Sequence, residues 1–248
     1  MPLDSEKIAK KLKNKAAVHV YGSIDSTNNE AKRRAGTDGG IRLYATTHQT
    51  AGRGRRGRSF YSPKDTGLYM TLALPLCLAP ADVQKITCAA AVAVCETVEE
   101  LSDKKPMIKW VNDIFIDGRK AAGILAELIC GADGQPSEVI VGIGLNLNTE
   151  SFPDELADIA GNIGDIEPEA LCAGIADRLI DYYNNLGDIS IIEKYSVRNL
   201  CVGREVFFTL NGKKMTAAAV GIDSSGGLIV KADDETIILN SGEVSVKL

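Results

Sequence analysis

Histidine and tryptophan are nearly absent from this 248-residue sequence, with two and one respectively, and aromatic residues make up only 5% of it. His19 and His48 lie far apart, and none of the six cysteines (Cys77, Cys88, Cys95, Cys130, Cys172, Cys201) forms a C-x-x-C pair. A His/Cys metal cluster therefore lacks its ligand spacing, and a dithiol redox centre lacks its motif. Most of the cysteines sit in apolar stretches, the pattern of buried free thiols in a reducing compartment. Long hydrophobic runs are missing too: the most apolar, Leu68 to Ala79, is broken by Pro75 and too short to span a bilayer. The opening MPLDSEKIAKKLKNK has no apolar centre for a signal peptide, so a cytoplasmic location is expected, with no membrane partner. Positive net charge is absent as well. The formal charge of −5 argues against a nucleic-acid binder as a whole, while leaving room for a local basic site.

What is present is the mix of a globular protein with a core, 45% hydrophobic and 25% charged. An amphipathic helix is predicted over 4–14, opening on Asp4 or Ser5, with Ile8 and Leu12 on one face. A strand follows at 18–21. Thr27-Asn-Asn-Glu30 spells a capping box, predicting a helix to about Arg34 that Gly36 stops. Alternation over 41–46 predicts a strand, and 67–76 another. Pro80 opens the longest predicted helix, to about Leu101, with Ile86, Ala90, Val94 and Val98 as its stripe. Strands are expected at 107–117, 121–130 and 137–147, with turns at Asp117-Gly118 and Asp133-Gly134. Helical periodicity returns at 153–160, 167–186 and 188–198. From Val202 short strands (205–210, 214–222, 227–231, 235–239, 243–247) alternate with turns at Asn211-Gly212, Ser225-Gly226-Gly227, Asp233-Asp234 and Ser241-Gly242. That rhythm predicts a small β-barrel and a division into residues 1–197 and 198–248.

Five stretches could carry chemistry. In Gln49-Thr-Ala-Gly-Arg-Gly-Arg-Arg-Gly-Arg58, four arginines within six residues repel one another unless an anion joins them. Glycines between them let backbone N–H groups approach a phosphate, and guanidinium forks bind its oxygens bidentately. A solvated basic loop and an RGG-like RNA contact are the competing readings. Lys109-Trp-Val-Asn-Asp113, at a strand end, offers a cation where charge could develop, although an exposed strand lysine looks the same. Ser23-Ile-Asp-Ser-Thr-Asn28 leads into the capped helix. Val141-Gly-Ile-Gly-Leu-Asn146 has small residues that mark a close approach, but it lacks the third glycine of a dinucleotide fingerprint. Gly118-Arg-Lys-Ala-Ala-Gly-Ile-Leu-Ala-Glu127 is a hairpin arm whose Gly123 suits a ring above it or a bulge.

In this order and spacing, the motifs S-T-N, Q-T-x-G-R-G-R-x-G-R, K-W-x-N-D, G-I-L-x-E and G-I-G-x-N resemble the biotin–protein ligase family from about Ser23 to the C-terminus. The resemblance implies an α/β (α+β) catalytic domain with a mainly antiparallel mixed sheet flanked by helices, as in class II synthetases, followed by an SH3-like domain over Val202–Leu248. It implies an enzyme that activates biotin with ATP and Mg²⁺ to biotinyl-5′-AMP. The biotinyl group then passes to a lysine of the biotin carboxyl carrier protein or domain of a carboxylase.

Ser26, Thr27, Gln49 and Arg53, with Asn28 nearby, are then expected to bind the ureido head. Gly54, Arg55 and Arg58 are expected at the carboxylate and phosphates, and Gly123, Gly142 and Gly144 under the pocket. Lys109, with Arg55, is the expected catalytic electrostatic residue. Asn146 and Phe60 are expected at the adenine, and Asn112 and Asp113 are the candidate Mg²⁺ ligands. The arginine loop is expected to be disordered until the adenylate orders it. Val111 stands where the family commonly has proline. No DNA-binding domain precedes the motifs, so no repressor function and no DNA partner are expected. A homodimer through an edge strand is left open. The rival readings are a lipoate–protein ligase or octanoyl transferase, which shares the fold, and a non-enzymatic RNA-binding module. Net negative charge and the lack of an aromatic platform count against the RNA module.

Overall fold

The computed structural model describes residues 3–37, 39–75, 83–131, 133–232 and 235–246. In chain order the elements are α1 (Ser5–Lys11), β1 (Ala17–Tyr21), α2 (Thr27–Arg33), β2 (Arg42–Thr46), β3 (Gly67–Pro75), α3 (Val83–Leu101), β4 (Met107–Lys109), β5 (Asp113–Ile116), β6 (Arg119–Cys130) and β7 (Pro136–Asn146). Then come α4 (Asp154–Ala157), α5 (Pro168–Asn184), α6 (Ser190–Val197), β8 (Glu205–Leu210), β9 (Lys213–Ile222), β10 (Leu228–Ala232), β11 (Glu235–Leu239) and β12 (Val244–Val246). The expected opening of α3 at Pro80, the Asp233-Asp234 turn and Cys77 lie outside the described residues.

Seven strands form one sheet in the order β1-β2-β3-β7-β6-β5-β4. Only β1–β2 is parallel; the other pairs are antiparallel, as the expected mixed sheet requires. All five β2 residues are buried, which leaves Arg42 in need of partners. It ion-pairs with Glu138 on β7 and donates to the Arg34 carbonyl at 2.8 Å. Helix α3 is buried on nearly every side from Cys88 to Cys95, where small alanines let it sink against β6, α5 and α6. Burial raises the Cys88 thiol to about 12, so it behaves as a small hydrophobe.

The C-terminal strands form a second, antiparallel sheet in the order β11-β10-β9-β8-β12. Asn211 and Gly212 both have positive φ (49° and 79°), the requirement of a tight two-residue hairpin turn. Val206, Phe208, Leu228 and Val230 of this sheet join the same apolar cluster as α3 and the first sheet.

Two local expectations are corrected. The expected strand 107–117 is two strands, β4 and β5, folded back on each other around Trp110–Asn112, where the Trp110–Val111 peptide is cis. Long-range bonds hold the fold-back: the Trp110 indole N–H donates to the Gly226 carbonyl at 2.9 Å, and the Tyr195 hydroxyl donates to the Val111 carbonyl at 2.9 Å. The capping box does not form either. Ser26 is the N-cap residue and Thr27 lies inside α2, with its amide N–H donating to Gln49 Oε1 at 2.9 Å. Glu30 is drawn instead to Arg33 and Arg34, whose guanidinium groups outcompete a backbone amide.

Candidate active site

A cavity of about 310 Å³ opens between the first sheet, the arginine loop and residues Gly242–Ser245 of the second sheet. A short parallel bridge between Ile24 and Gln49 brings the segment before α2 against the segment after β2. Gln49 thereby reaches two ways, accepting from the Thr27 amide and donating through Nε2 to Ser62 Oγ at 3.2 Å. Ser62 in turn donates to the Phe60 carbonyl at 2.9 Å. Gly52 is needed here, because a Cβ would stand 2.5 Å from both the Phe60 carbonyl and the Ser62 hydroxyl.

The arginine loop is built as a narrow hairpin. The Gly54 amide donates to the Arg58 carbonyl at 2.7 Å, and the Phe60 amide donates to the Gly52 carbonyl at 3.0 Å. Between them Arg55–Gly57 makes one 3-10 turn, with positive φ at Arg56 and Gly57. The arginines relieve their repulsion by diverging to different elements. Arg53 donates to Asn29 of α2 (3.0 Å), Arg55 to Asn112 of the β4–β5 turn (2.9 Å) and Arg58 to Glu243 (2.9 Å). Burial, and then the neighbouring Arg56, holds the Arg55 pKa below its ordinary value. A guanidinium still stays protonated throughout the working range.

The Phe60 ring lies over Gly123 and Gly144, where added Cβ atoms would stand 3.2 Å and 2.7 Å from it, and it meets Tyr69 edge-on at 6.2 Å. Gly142 lines the cavity and also seats Asn28, because a Cβ there would overlap the Asn28 side-chain amide. Gly142→Ala is therefore expected to destabilise the fold by about 1–3 kcal/mol, measured by chemical denaturation; unchanged stability would show that Asn28 has room to move aside. Lys120 pairs with Asp113 at 2.7 Å. The Lys109 ammonium stands 5.5 Å from the centre of the Phe115 ring.

The cavity brings together Ser26, Thr27, Asn28, Gln49, Arg53, Gly54, Arg55, Arg58, Phe60, Lys109, Gly123, Gly142 and Gly144. Asn146 is the exception. Its side chain donates to the Gly161 carbonyl at 3.1 Å, away from the lining. Lys120, Tyr69 and Glu243 line the cavity although sequence reasoning did not single them out. Lys120 lies inside the Gly118–Glu127 hairpin arm, and Glu243 directly follows the Ser241-Gly242 turn. Among the described residues no cluster of metal-ligating side chains occurs. Of the two candidate ligands, Asn112 is hydrogen-bonded to Arg55 and to the Ile124 carbonyl, while Asp113 forms an ion pair with Lys120 and its buried Oδ1 has no hydrogen-bond partner among the described residues.

Residues 21–146 match the biotin/lipoate A/B protein ligase family, and residues 202–247 match the biotin protein ligase C-terminal domain. The chain is 32% identical over 239 residues to the bifunctional ligase/repressor BirA of Bacillus subtilis, covering 92% of this chain and 72% of that one. It is 29% identical over 242 residues to the biotin–[acetyl-CoA-carboxylase] ligase of Mycobacterium tuberculosis, covering 91% and 87%. Its structure is similar to that of the biotin protein ligase from Aquifex aeolicus in complex with biotin and ATP, with a TM-score of 0.75 and 25% identity over 95% of this chain and 99% of that one.

Proposed function

The chain belongs to the biotin protein ligase family, within the biotin/lipoate A/B protein ligases, and from that premise we propose how its cavity works. The enzyme is an ATP-dependent biotin ligase. A biotin carboxylate oxygen attacks the α-phosphorus of ATP, pyrophosphate leaves, and biotinyl-5′-AMP remains. A carrier lysine amine then attacks the biotinyl carbonyl, and AMP departs. The protein contributes no covalent step, so positioning and charge neutralisation carry the catalysis.

The observation that supports this reading is one cavity lined both by a cradle of hydroxyl and amide groups and by Arg55, Arg58, Lys109 and Lys120. We assign Ser26, Thr27, Gln49 and Arg53, with Asn28, to the ureido head; these groups supply both donors and acceptors. Gly54, Arg55 and Arg58 face the carboxylate and phosphates in this scheme, and Lys109 and Lys120 steady the charge at the α-phosphate. Phe60, on its bed of Gly123 and Gly144, supplies the face on which adenine stacks. Asn146 acts by holding the 161–163 segment, whose Ile163 amide donates to its carbonyl at 2.8 Å. Mg²⁺ enters as part of the ATP complex and keeps most of its water, with Asn112 and Asp113 the candidates to meet it.

The partner we propose is the biotin carboxyl carrier domain of a carboxylase, met in the cytoplasm. Among the described residues no helix is long and apolar enough to cross a membrane. The division at 197/198 follows the end of α6, although Asn199 still bridges to Ile108 of β4. The outer edge of β1 is the place where two copies would pair, which sedimentation at increasing concentration would detect.

The deciding experiment is pyrophosphate release with biotin and ATP, followed by transfer of labelled biotin to a carrier domain. Release with biotin and little with lipoate or octanoate is expected. Preference for either of those flexible acids would overturn the reading.

A further inference from the structure

Glu127, on β6, carries a carboxylate that accepts from Lys32 Nζ at 2.7 Å and from Asn28 Nδ2 at 3.0 Å. Burial pushes its pKa up, but the hydrogen bonds from Lys32 and Asn28 outweigh this and hold the group below its ordinary value. At neutral pH it is ionised and can only accept. It therefore pins the Asn28 amide nitrogen on the β6 side, where the Leu125 carbonyl lies at 3.5 Å as a second acceptor.

The consequence passes along a buried chain. Asn28 Oδ1 must face the other way, 2.6 Å from the Thr71 hydroxyl. A carbonyl oxygen cannot donate, so the single Thr71 hydrogen is committed to it. The Thr71 oxygen also lies 2.8 Å from Thr27 Oγ1, and the hydrogen for that bond has to come from Thr27. Gln49 Oε1 is a poorer recipient, at 3.3 Å, and already takes the Thr27 amide N–H at 2.9 Å. Thr71, Thr27 and Asn28 are 0%, 3% and 4% exposed, so no bulk water is at hand to reverse the order. Thr27 is left with lone pairs alone to offer into the cavity. Beside it, Gln49 Nε2 has spent one N–H on Ser62 and keeps the other.

We propose that Glu127 is a specificity-determining positioning residue that, through Asn28 and Thr71, fixes the Thr27 hydroxyl as a hydrogen-bond acceptor, so that the cavity selects a ligand presenting N–H at that point. This deepens the biotin reading above and rests on it. A ureido group, with N–H next to C=O, matches an acceptor at Thr27 beside a donor at Gln49. A ring carbamate, with oxygen in place of that N–H, sets acceptor against acceptor.

The test uses the full chain and the two carbamate isosteres of biotin, in which oxygen replaces one or the other ureido N–H. Pyrophosphate release gives kcat and KM for biotin and for each isostere. The unaltered chain is expected to disfavour one isostere by about 10–100-fold in kcat/KM. Glu127→Gln keeps the size but lets the glutamine present either N–H or carbonyl, so the chain of hydroxyls is free to reverse. Thr71→Val cuts the chain one step later. In both variants the discrimination ratio is expected to fall at least about five-fold through KM, with kcat for biotin within about three-fold. A ratio unchanged in both variants, each with a native melting curve, overturns the inference and leaves the biotin reading standing. No pyrophosphate release by the unaltered chain overturns both.

Discussion

Lys120→Ala is expected to slow adenylate formation by on the order of 10²–10³-fold, the usual consequence of removing one preorganised charge partner from a developing oxyanion. Two lysines line the cavity, but their settings differ. The Lys109 ammonium stands above the Phe115 ring, while the Lys120 ammonium stands 2.7 Å from Asp113 with both groups partly buried. Losing Lys120 removes a cation and also leaves the Asp113 carboxylate unpaired, facing an incoming carboxylate and a polyphosphate. That like-charge penalty adds to the lost attraction. Adding Asp113→Asn to Lys120→Ala should therefore recover part of the rate, whereas Asp113→Asn alone should not raise it. Lys109→Ala should depress the same step by a smaller factor, roughly 10–100-fold, with the fold intact. Single-turnover pyrophosphate release with biotin and ATP measures all four. Normal release from Lys120→Ala would remove that residue from the chemistry and return the principal role to Lys109.

Arg53→Ala is expected to let biotinyl-5′-AMP escape about ten-fold faster, because most changes of this kind are felt in the off-rate. Arg53 lines the cavity and at the same time donates to Asn29, whose amide donates in turn to Asp25 at 2.8 Å. Arg33 holds Asp25 by two further bonds, and Asp25 stays ionised well below the usual carboxylate range, first through Arg33 and then through Asn29. The loop is thus moored to α2 through a charged and persistent anchor. Without Arg53 the nearer end of the hairpin loses that mooring and the cover lifts more often. Isolating the enzyme–adenylate complex by gel filtration and following its decay measures the lifetime. An unchanged lifetime would show that the loop is no cover.

What the sequence made legible follows from how local each signal is. Alternation exposed β2, the Asn211-Gly212 and Asp117-Gly118 turns follow from positive φ, and the contiguous Q-T-x-G-R-G-R stretch brought its residues to one cavity. The misses turn mostly on partners distant in sequence. Trp110 folds the 107–117 stretch back because its indole finds a carbonyl at Gly226. Thr27 did not cap its helix because Gln49 took the amide. Gly142 lines the cavity but also seats Asn28, a neighbour no periodicity could place there. Glu243 stayed hidden for the same reason: a lone carboxylate near the C-terminal end has no signature until Arg58 is seen beside it.

Residues Gly242–Ser245 wall the cavity, and Glu243 holds Arg58. These residues leave the ribosome after every other group in the site. Trp110 of the β4–β5 turn also donates to Gly226, so the first sheet and the arginine hairpin both depend on the second sheet. A nascent chain that has emerged only through α6 presents Arg58 without its carboxylate and the cavity without its last wall. Until those residues are in place, the site is expected to leak a reactive acyl-adenylate towards bystander lysines rather than retain it.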